Sequence, residues 1–307
     1  MRVLVIENPA AGSGRAQRRA AGLVSALERR GHRVEWLLTE RPGDARRLAG
    51  EREGRVDCIV AAGGDGTLNE VLNGLADPAR TPLAPLALGT ANMLARELGI
   101  PVEAEALAAR VETKSVRRVD MGRVGDTRFL CVVGVGFDAM VTERVARTRR
   151  GRLGYRGYVV PIASTFARYR PPRLTARLDG GESVACELAI VGNLRDYGGV
   201  LRVTASASCD SGRLDACLFR SARRTELLRY ALEASRGRLA SDPGVDCRTA
   251  TRIEIDAARP VPVQVDGEAW GHTPIAIEVE PGAVPILGAQ AGSARRPASP
   301  RSGALSG

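Results

Sequence analysis

The stretch AAGGDGTLNEVLNGL, residues 61–75, follows the apolar run VDCIV and precedes DPARTP. It reads as a buried strand that runs into two glycines, an acid, a third glycine and a threonine, and then turns into a helix. Glycines at such a turn admit something close to the backbone, and the start of a helix carries a partial positive charge. That combination cradles phosphate. An aspartate beside phosphate is repelled unless a divalent cation lies between them, so Asp65 points to Mg2+ held near a nucleotide. Taken alone, GGDG is also a plain turn with Asp65 capping a helix.

The surroundings favour the ligand reading. Strands at RVLVI (2–6), RVEWLL (33–38), VDCIVAA (56–62) and PLALG (85–89) alternate with helical patterns over 14–30, 43–53 and 67–76. This rhythm predicts an α/β domain over residues 1–120, a doubly wound parallel sheet with helices on both faces. Such a sheet gathers its strand C-termini at one edge, where ligands bind. Two further loops leave strands on that edge, NPAAGSGRA (8–16) and LGTANMLARELGIP (88–101). Neither has the P-loop pattern, and the chain lacks the dinucleotide fingerprint in a strand–helix context. From about residue 115 the rhythm changes. SVRRVDMGRV, TRFLCVVGVG, RLTARLDG, ESVACELAIVG, RLDACLFR, RIEIDA, VPVQVDGE and PIAIEVE read as strands, and helical pattern is confined to 137–169 and 223–238. The second half, 121–288, is therefore predicted to be mainly antiparallel β. The small, polar and basic tail 289–307 is expected to be disordered.

With 307 residues the chain is long enough for two domains and a sizeable core. Its 44% hydrophobic and 26% charged residues are ordinary for a soluble protein, while 4% aromatics leave the core to Ala, Val, Leu and Ile. The net charge of +10 favours acidic partners, and all but one of the 45 basic residues, Lys114, are arginine. The chain carries no nucleic-acid motif and few rings for stacking, so nucleic acid is not expected as a partner. The start, MRVLVIENP, is a strand and a loop without the apolar stretch of a signal peptide. No apolar run reaches the ~18–20 residues of a membrane span. Cys58, Cys131, Cys186, Cys209, Cys217 and Cys247 show no metal spacing and are expected as reduced core thiols of a cytoplasmic protein. His32 and His272 are too few for a metal cluster.

Taken in order, NPAAGSG, TERPGDARRLA, GGDGTLNEVLNGL and LALGTANMLARELGIP resemble the bacterial diacylglycerol/sphingosine-kinase-like lipid kinase family. GVGFDAMV (134–141), CDSGRLD (209–215) and VQVDGEAWGHTPIAIEVEPGAVPIL (263–287) continue the resemblance, which covers all but the tail. GGDGT is shared with NAD kinases and phosphofructokinase relatives; TLNEVLNGL and the late DGE favour lipid kinases. The resemblance implies an ATP-dependent kinase acting on diacylglycerol or a related lipid. It also implies that the second domain is a β-sandwich, with its last strand free to return to the first, and that the reaction occurs in the cleft between them.

By the same resemblance, ATP is held by Asn8, Pro9, Ala10, Ala11 and Gly12, by Thr39, by Gly63, Gly64, Asp65, Gly66, Thr67, Leu68 and Asn69, and by Thr90. Asp65 serves Mg·ATP. Asp266 and Glu268 face it, and one of them takes the proton of the lipid hydroxyl; the family leans towards Glu268, and the sequence does not separate the two. Two departures stand out. Met93 occupies a position where many relatives carry an acid, and it cannot ligate Mg2+ as a carboxylate would. Ser211 replaces the second acid of a DDG turn that helps hold a structural Mg2+, which leaves Asp210 as the candidate ligand. The alternatives are an NAD-kinase-like or other soluble small-molecule kinase, and a non-catalytic nucleotide- or lipid-binding regulator.

From Arg144 to Arg170 the chain has eight arginines and no acid, with Tyr155, Tyr158, Val159, Ile162, Phe166 and Tyr169 at near-helical spacing and Pro161 interrupting. The segment reads both as a helix packed on the second domain and as a basic amphipathic surface for an anionic bilayer. The expected partner is thus a lipid substrate at a membrane surface, reached by a cytoplasmic protein that associates peripherally. A homodimer is left open.

Overall fold

In a computed structural model of the chain, residues 1–12, 14–148 and 156–290 are described. The first half holds β1 (Arg2–Glu7), α1 (Gly14–Arg29), β2 (Arg33–Leu38), α2 (Asp44–Arg52), β3 (Cys58–Gly63), α3 (Asp65–Gly74), β4 (Leu83–Ala87), α4 (Met93–Glu97) and α5 (Ala104–Glu112). The strands pair in parallel in the order β2-β1-β3-β4. β3 and β4 are buried at every residue, as strands covered on both faces must be. Helix α1 packs with α5, and α2 with α3. α4 and α5 were not anticipated from the sequence.

The second half follows as β5 (Val116–Val124), β6 (Thr127–Phe129), β7 (Val132–Val135), α6 (Phe137–Thr148), α7 (Arg156–Arg168), β8 (Leu174–Leu178), β9 (Ser183–Cys186) and β10 (Leu188–Gly192). Then come β11 (Asp196–Tyr197), β12 (Leu201–Arg202), β13 (Leu214–Phe219), α8 (Arg224–Ser235), β14 (Val245–Ala250), β15 (Arg252–Ala257), β16 (Pro262–Val265), β17 (Glu268–His272) and β18 (Ile275–Leu287). Six of these strands form an antiparallel sheet, β14-β13-β10-β7-β16-β17. Its inner face meets β5, β6, β8, β15 and β18 across a core that includes Phe129, Val133, Val191, Leu218, Ile253 and Ile277. The fold is thus a parallel α/β layer followed by an antiparallel sandwich.

Strand β18 belongs to both halves. It pairs antiparallel with β15 and β5, and its end runs parallel to β4, with Ile286 opposite Leu83. A register shift between Glu280 and Val284 lets the strand continue through Pro281-Gly282, where the sequence reading stopped. Two stretches read as single strands are split, TRFLCVVGVG into β6 and β7, and ESVACELAIVG into β9 and β10. Helix α7 runs through Pro161 rather than breaking at it.

The cysteine expectation is corrected. Cys217 and Cys247 stand opposite each other on β13 and β14, with Cα atoms 4.2 Å apart, and are joined as a disulfide. Facing positions on antiparallel neighbours bring two Cβ atoms together, a juxtaposition that sequence spacing does not reveal. Cys58, Cys131, Cys186 and Cys209 are free and buried, as expected. The tail expectation beyond residue 290, and the roles given to Arg149, Arg150, Arg152 and Tyr155, lie outside the described residues.

Helices α2 and α3 touch backbone to backbone: a Cβ on Gly74 would fall 2.0 Å from the Arg46 carbonyl oxygen, and one on Gly50 2.8 Å from that of Gly74. Gly74→Ala must push α2 away from the helix that carries Asp65. It is expected to lower stability by about 2–3 kcal/mol in urea unfolding. A variant as stable as its parent would show that α2 gives way freely.

Candidate active site

Three loops leave β1, β3 and β4 at one edge of the parallel sheet, and they hold one another. Asn8 Nδ2 donates to Thr67 Oγ1 at 3.3 Å, and the Asn8 amide to the Ala62 carbonyl at 2.9 Å. Asn92, in the left-handed region at φ 49, closes a ring on Gly89: its Oδ1 accepts the Gly89 amide and its Nδ2 donates to the Gly89 carbonyl. The glycines of GGDG answer first to this packing. A Cβ on Gly63 would sit 2.5 Å from Thr67 Cβ, and one on Gly89 would sit 2.5 Å from Gly64 Cα. Gly66 differs. The nearest atom to its would-be Cβ is Glu268 Oε1, at 3.8 Å. It is the loop glycine that faces the second half.

Asp65 opens α3. Its Oδ1 accepts the Met93 amide at 2.7 Å, so the acid of the second loop caps the short helix of the third. Burial raises its pKa to about 6, helped by the charge of Asp266 and opposed by amides at 92–94. Asp266 is bound differently. Its Oδ1 accepts the Cys131 and Val132 amides at 2.9 and 2.8 Å, and its Oδ2 accepts the Leu130 amide at 3.0 Å and Asn69 Nδ2 at 2.8 Å. Four donors occupy the roughly four acceptor positions of a carboxylate. Burial pushes Asp266 up despite them. Glu268, two residues on, is exposed and lies towards Gly66.

The remaining predicted residues divide by position. Pro9 and Ala10 are exposed on the first loop, with Ala11 and Gly12 half-buried behind them, and Thr90 is exposed on the third. Thr39 is buried and donates its amide to Glu7. Leu68 is core. Asn69 turns to Asp266 and the Arg128 carbonyl. Its neighbour one turn on, Asn73, also donates to that carbonyl and accepts the Arg128 amide. The Arg128 guanidinium reaches the carbonyls of Leu72, Leu75 and Ala76 and caps the end of α3. Asn73, Arg128 and Asn92 were not singled out from sequence. The i,i+4 pair of asparagines was a usable signal, because both must lie on one helix face.

The charge pattern of the cleft fits a divalent cation: Asp65 and Asp266 repel each other, and Asp65 reaches about 6 partly for that reason. Asp65 is the residue that would hold Mg2+. Asp210 does not fit one. Its Oδ2 is 2.6 Å from Arg117 Nη2, and Ser208 donates to Oδ1. Burial acts upward on its pKa, but these partners outweigh it and leave the group lowered. A guanidinium already stands where a cation would be needed. Among the described residues, no group of three or more His, Cys, Asp or Glu side chains could hold a metal ion.

This arrangement sets a glycine-lined edge of a parallel sheet against an acidic turn from an antiparallel sandwich. Residues 2–124 match the family described as "Diacylglycerol kinase catalytic domain", and residues 131–288 the "YegS C-terminal NAD kinase beta sandwich-like domain". A diacylglycerol kinase of Bacillus subtilis (strain 168) is 31% identical over 280 residues, 89% of this chain and 91% of that one. One of Mycobacterium tuberculosis (strain ATCC 25618 / H37Rv) is 30% identical over 297 residues, 93% and 94% of the two chains. The crystal structure of a diacylglycerol kinase from Bacillus anthracis str. Sterne superposes with a TM-score of 0.75 at 29% identity, covering 93% of this chain and 96% of that one. The chain belongs to the diacylglycerol kinase family of lipid kinases.

Asp65 carries a stability consequence. Its folded pKa, about 6, lies above the unfolded value of 3.8, so its contribution is present below pH ~4 and is lost as pH rises through 6. The cost at pH 8 is up to roughly 3 kcal/mol in protein free of metal and nucleotide. Asp65→Asn is expected to gain stability over its parent between pH 4.5 and pH 8 in urea unfolding. An equal difference at both pH values would mean that the carboxylate is not strained.

Proposed function

We propose that the protein is an ATP-dependent lipid kinase that transfers the γ-phosphoryl group of ATP to a hydroxyl of diacylglycerol or a related lipid. The observation that carries the reading is the placement of Glu268 Oε1 beside Gly66, at the start of α3 and in the cleft shared with Asp65. The amides at the start of α3 and the glycine loops would hold the phosphates. Mg2+, when bound at Asp65, would neutralise charge on them. Asp266 has no oxygen to spare, so the base is Glu268. It takes the hydroxyl proton as the lipid oxygen bonds to the γ-phosphorus and the bond to the β-phosphate oxygen breaks, releasing ADP. The proton on Glu268 then returns to solvent.

The lipid side draws on α6 and α7. Phe166 and Tyr169 turn inward onto Phe137, at ring-centroid distances of 6.4 and 5.0 Å, which fixes α7 on the sandwich. Val159, Val160 and Ile162 point outward, 61%, 73% and 44% exposed, more than a solvated helix face needs. Arg168 and Arg170 are exposed at its end. Apolar side chains flanked by arginines suit an anionic bilayer, where each cation near the surface contributes about 1 kcal/mol. No described helix is long and apolar enough to cross a membrane.

The test is γ-labelled ATP with Mg2+ and diacylglycerol in detergent micelles, with label counted in the organic phase. Glu268→Gln is expected to lower kcat at least ~100-fold with ATP binding retained, and Asp65→Asn to abolish turnover. Label confined to the aqueous phase would point to a soluble acceptor; none in either, with ATP bound, would point to a regulator. For the surface, Val159→Asp with Val160→Asp is expected to weaken sedimentation with anionic vesicles about tenfold. Turnover of a short-chain, water-soluble diacylglycerol should persist; unchanged sedimentation would exclude α7 as the contact.

A further inference from the structure

We propose that Asp138, at the start of α6, is a positioning residue that holds the 266–268 turn in place through Gln264; the inference rests on Glu268 as the base. Gln264 on β16 is fully buried. Its Oε1 accepts the Gly267 amide at 2.7 Å, and its Nε2 donates to Asp138 Oδ2 at 3.1 Å. A backbone N–H can only donate, so the Gly267 side fixes which way Gln264 points and obliges Asp138 to accept. Tyr197 donates its hydroxyl to the same oxygen at 3.1 Å and holds the carboxylate from the far side. Gly267 is the residue between Asp266 and Glu268, at φ 82. The link therefore acts on the peptide that aims Glu268.

Two observations show that the site is built around this carboxylate. A Cβ on Gly134 would fall 1.7 Å from Asp138 Oδ2, so β7 carries a glycine where the acid lies against it. Asp138 Oδ1 is buried with no hydrogen-bond partner among the described residues, and burial raises the pKa of the group. Burial with one unpaired oxygen disfavours the charged form of this acid. What it supplies is one oxygen accepting from two donors, and an asparagine supplies the same. The hairpin that carries Tyr197 also reaches the nucleotide side: Arg96 of α4 donates to the Gly199 carbonyl at 2.7 Å, and α4 is the helix that Asp65 caps. The support of the base and the support of Asp65 thus meet in β11–β12.

The experiment combines hydrogen–deuterium exchange of the peptide spanning 264–270 with kinase turnover, on the full chain. Asp138→Ala is expected to speed exchange at Gly267 about tenfold, with kcat lower by a similar factor and KM for ATP unchanged. Asp138→Asn should restore both to within about threefold of the parent. Gln264→Met, of similar volume, breaks the same link should Asp138→Ala not fold. In the Glu268→Gln background, Asp138→Ala should cost nothing further, because it acts through Glu268. Unchanged exchange at Gly267 in both Asp138→Ala and Gln264→Met overturns the proposal, whatever turnover does. So does an Asp138→Asn variant as inactive as Asp138→Ala, which would mean that the charge acts on substrate directly. If exchange responds as expected but the parent yields no phosphorylated lipid, the kinase reading fails and the support of the turn stands.

Discussion

The carboxylate of Asp266 joins the two halves of the molecule. It collects three consecutive amides between β6 and β7 and the side chain of Asn69 on α3. The residue sits at φ 48, a left-handed conformation that costs an aspartate about a kilocalorie, and the four bonds offset it. That conformation turns the chain so that Glu268 emerges over α3. Without the anchor, the two halves would still share β18, the Arg128 cap, the Arg96–Gly199 bond and a common apolar core, but the acid opposite Gly66 would have no fixed place. The more buried acid of the DGE turn is therefore the one with its oxygens already taken, and the proposed reading leaves it out of proton transfer.

The same anchor sets the electrostatics of the cleft. Burial makes Asp65 reluctant to ionise, and the charge of Asp266 nearby adds to it. The protein keeps both acids close although Asp266 disfavours the charge on Asp65, and a cation bound at Asp65 would relieve the conflict. The turn around Asp210 resolves its charge otherwise, by drawing Arg117 from β5 onto the carboxylate. Two acidic sites in one chain thus call for positive counter-charges of different kinds, and the difference lies in whether an arginine can reach.

Much of the layer order was legible. β2 was read at its true bounds, and β1, β3 and β4 within two residues at either end, because short apolar runs between loop residues admit few other readings. What escaped was set by contacts distant in sequence. VDCRTA is half-exposed and lacks clean alternation, yet it forms β14 because β13 lies beside it. α5 carries the pattern AEALAARVE, which is helical, but nothing in it announces that α1 needs a partner. In the site, the residues of GGDGT and DGE were visible as types, while their roles were not. Asp266 and Glu268 are both acids in one turn, and the amides of residues 130–132 separate the anchored acid from the exposed one.

The glycines carry the sharpest version of this point. A Gly-Gly-Asp-Gly turn was read as a surface that a ligand approaches, and that is only a third of its content. Gly63 makes room for Thr67, Gly64 makes room for Gly89, and Gly66 alone among them opens towards Glu268. Close approach between loops and close approach to a phosphate demand the same residue for the same reason, the absence of Cβ. The sequence therefore presents them identically. The two demands are also coupled: because Gly64 and Gly89 let the second and third loops meet backbone to backbone, they pack into one rim, and a rigid rim lets backbone amides at the start of α3 hold a fixed aim. The glycines that never face the cleft thus serve the one that does.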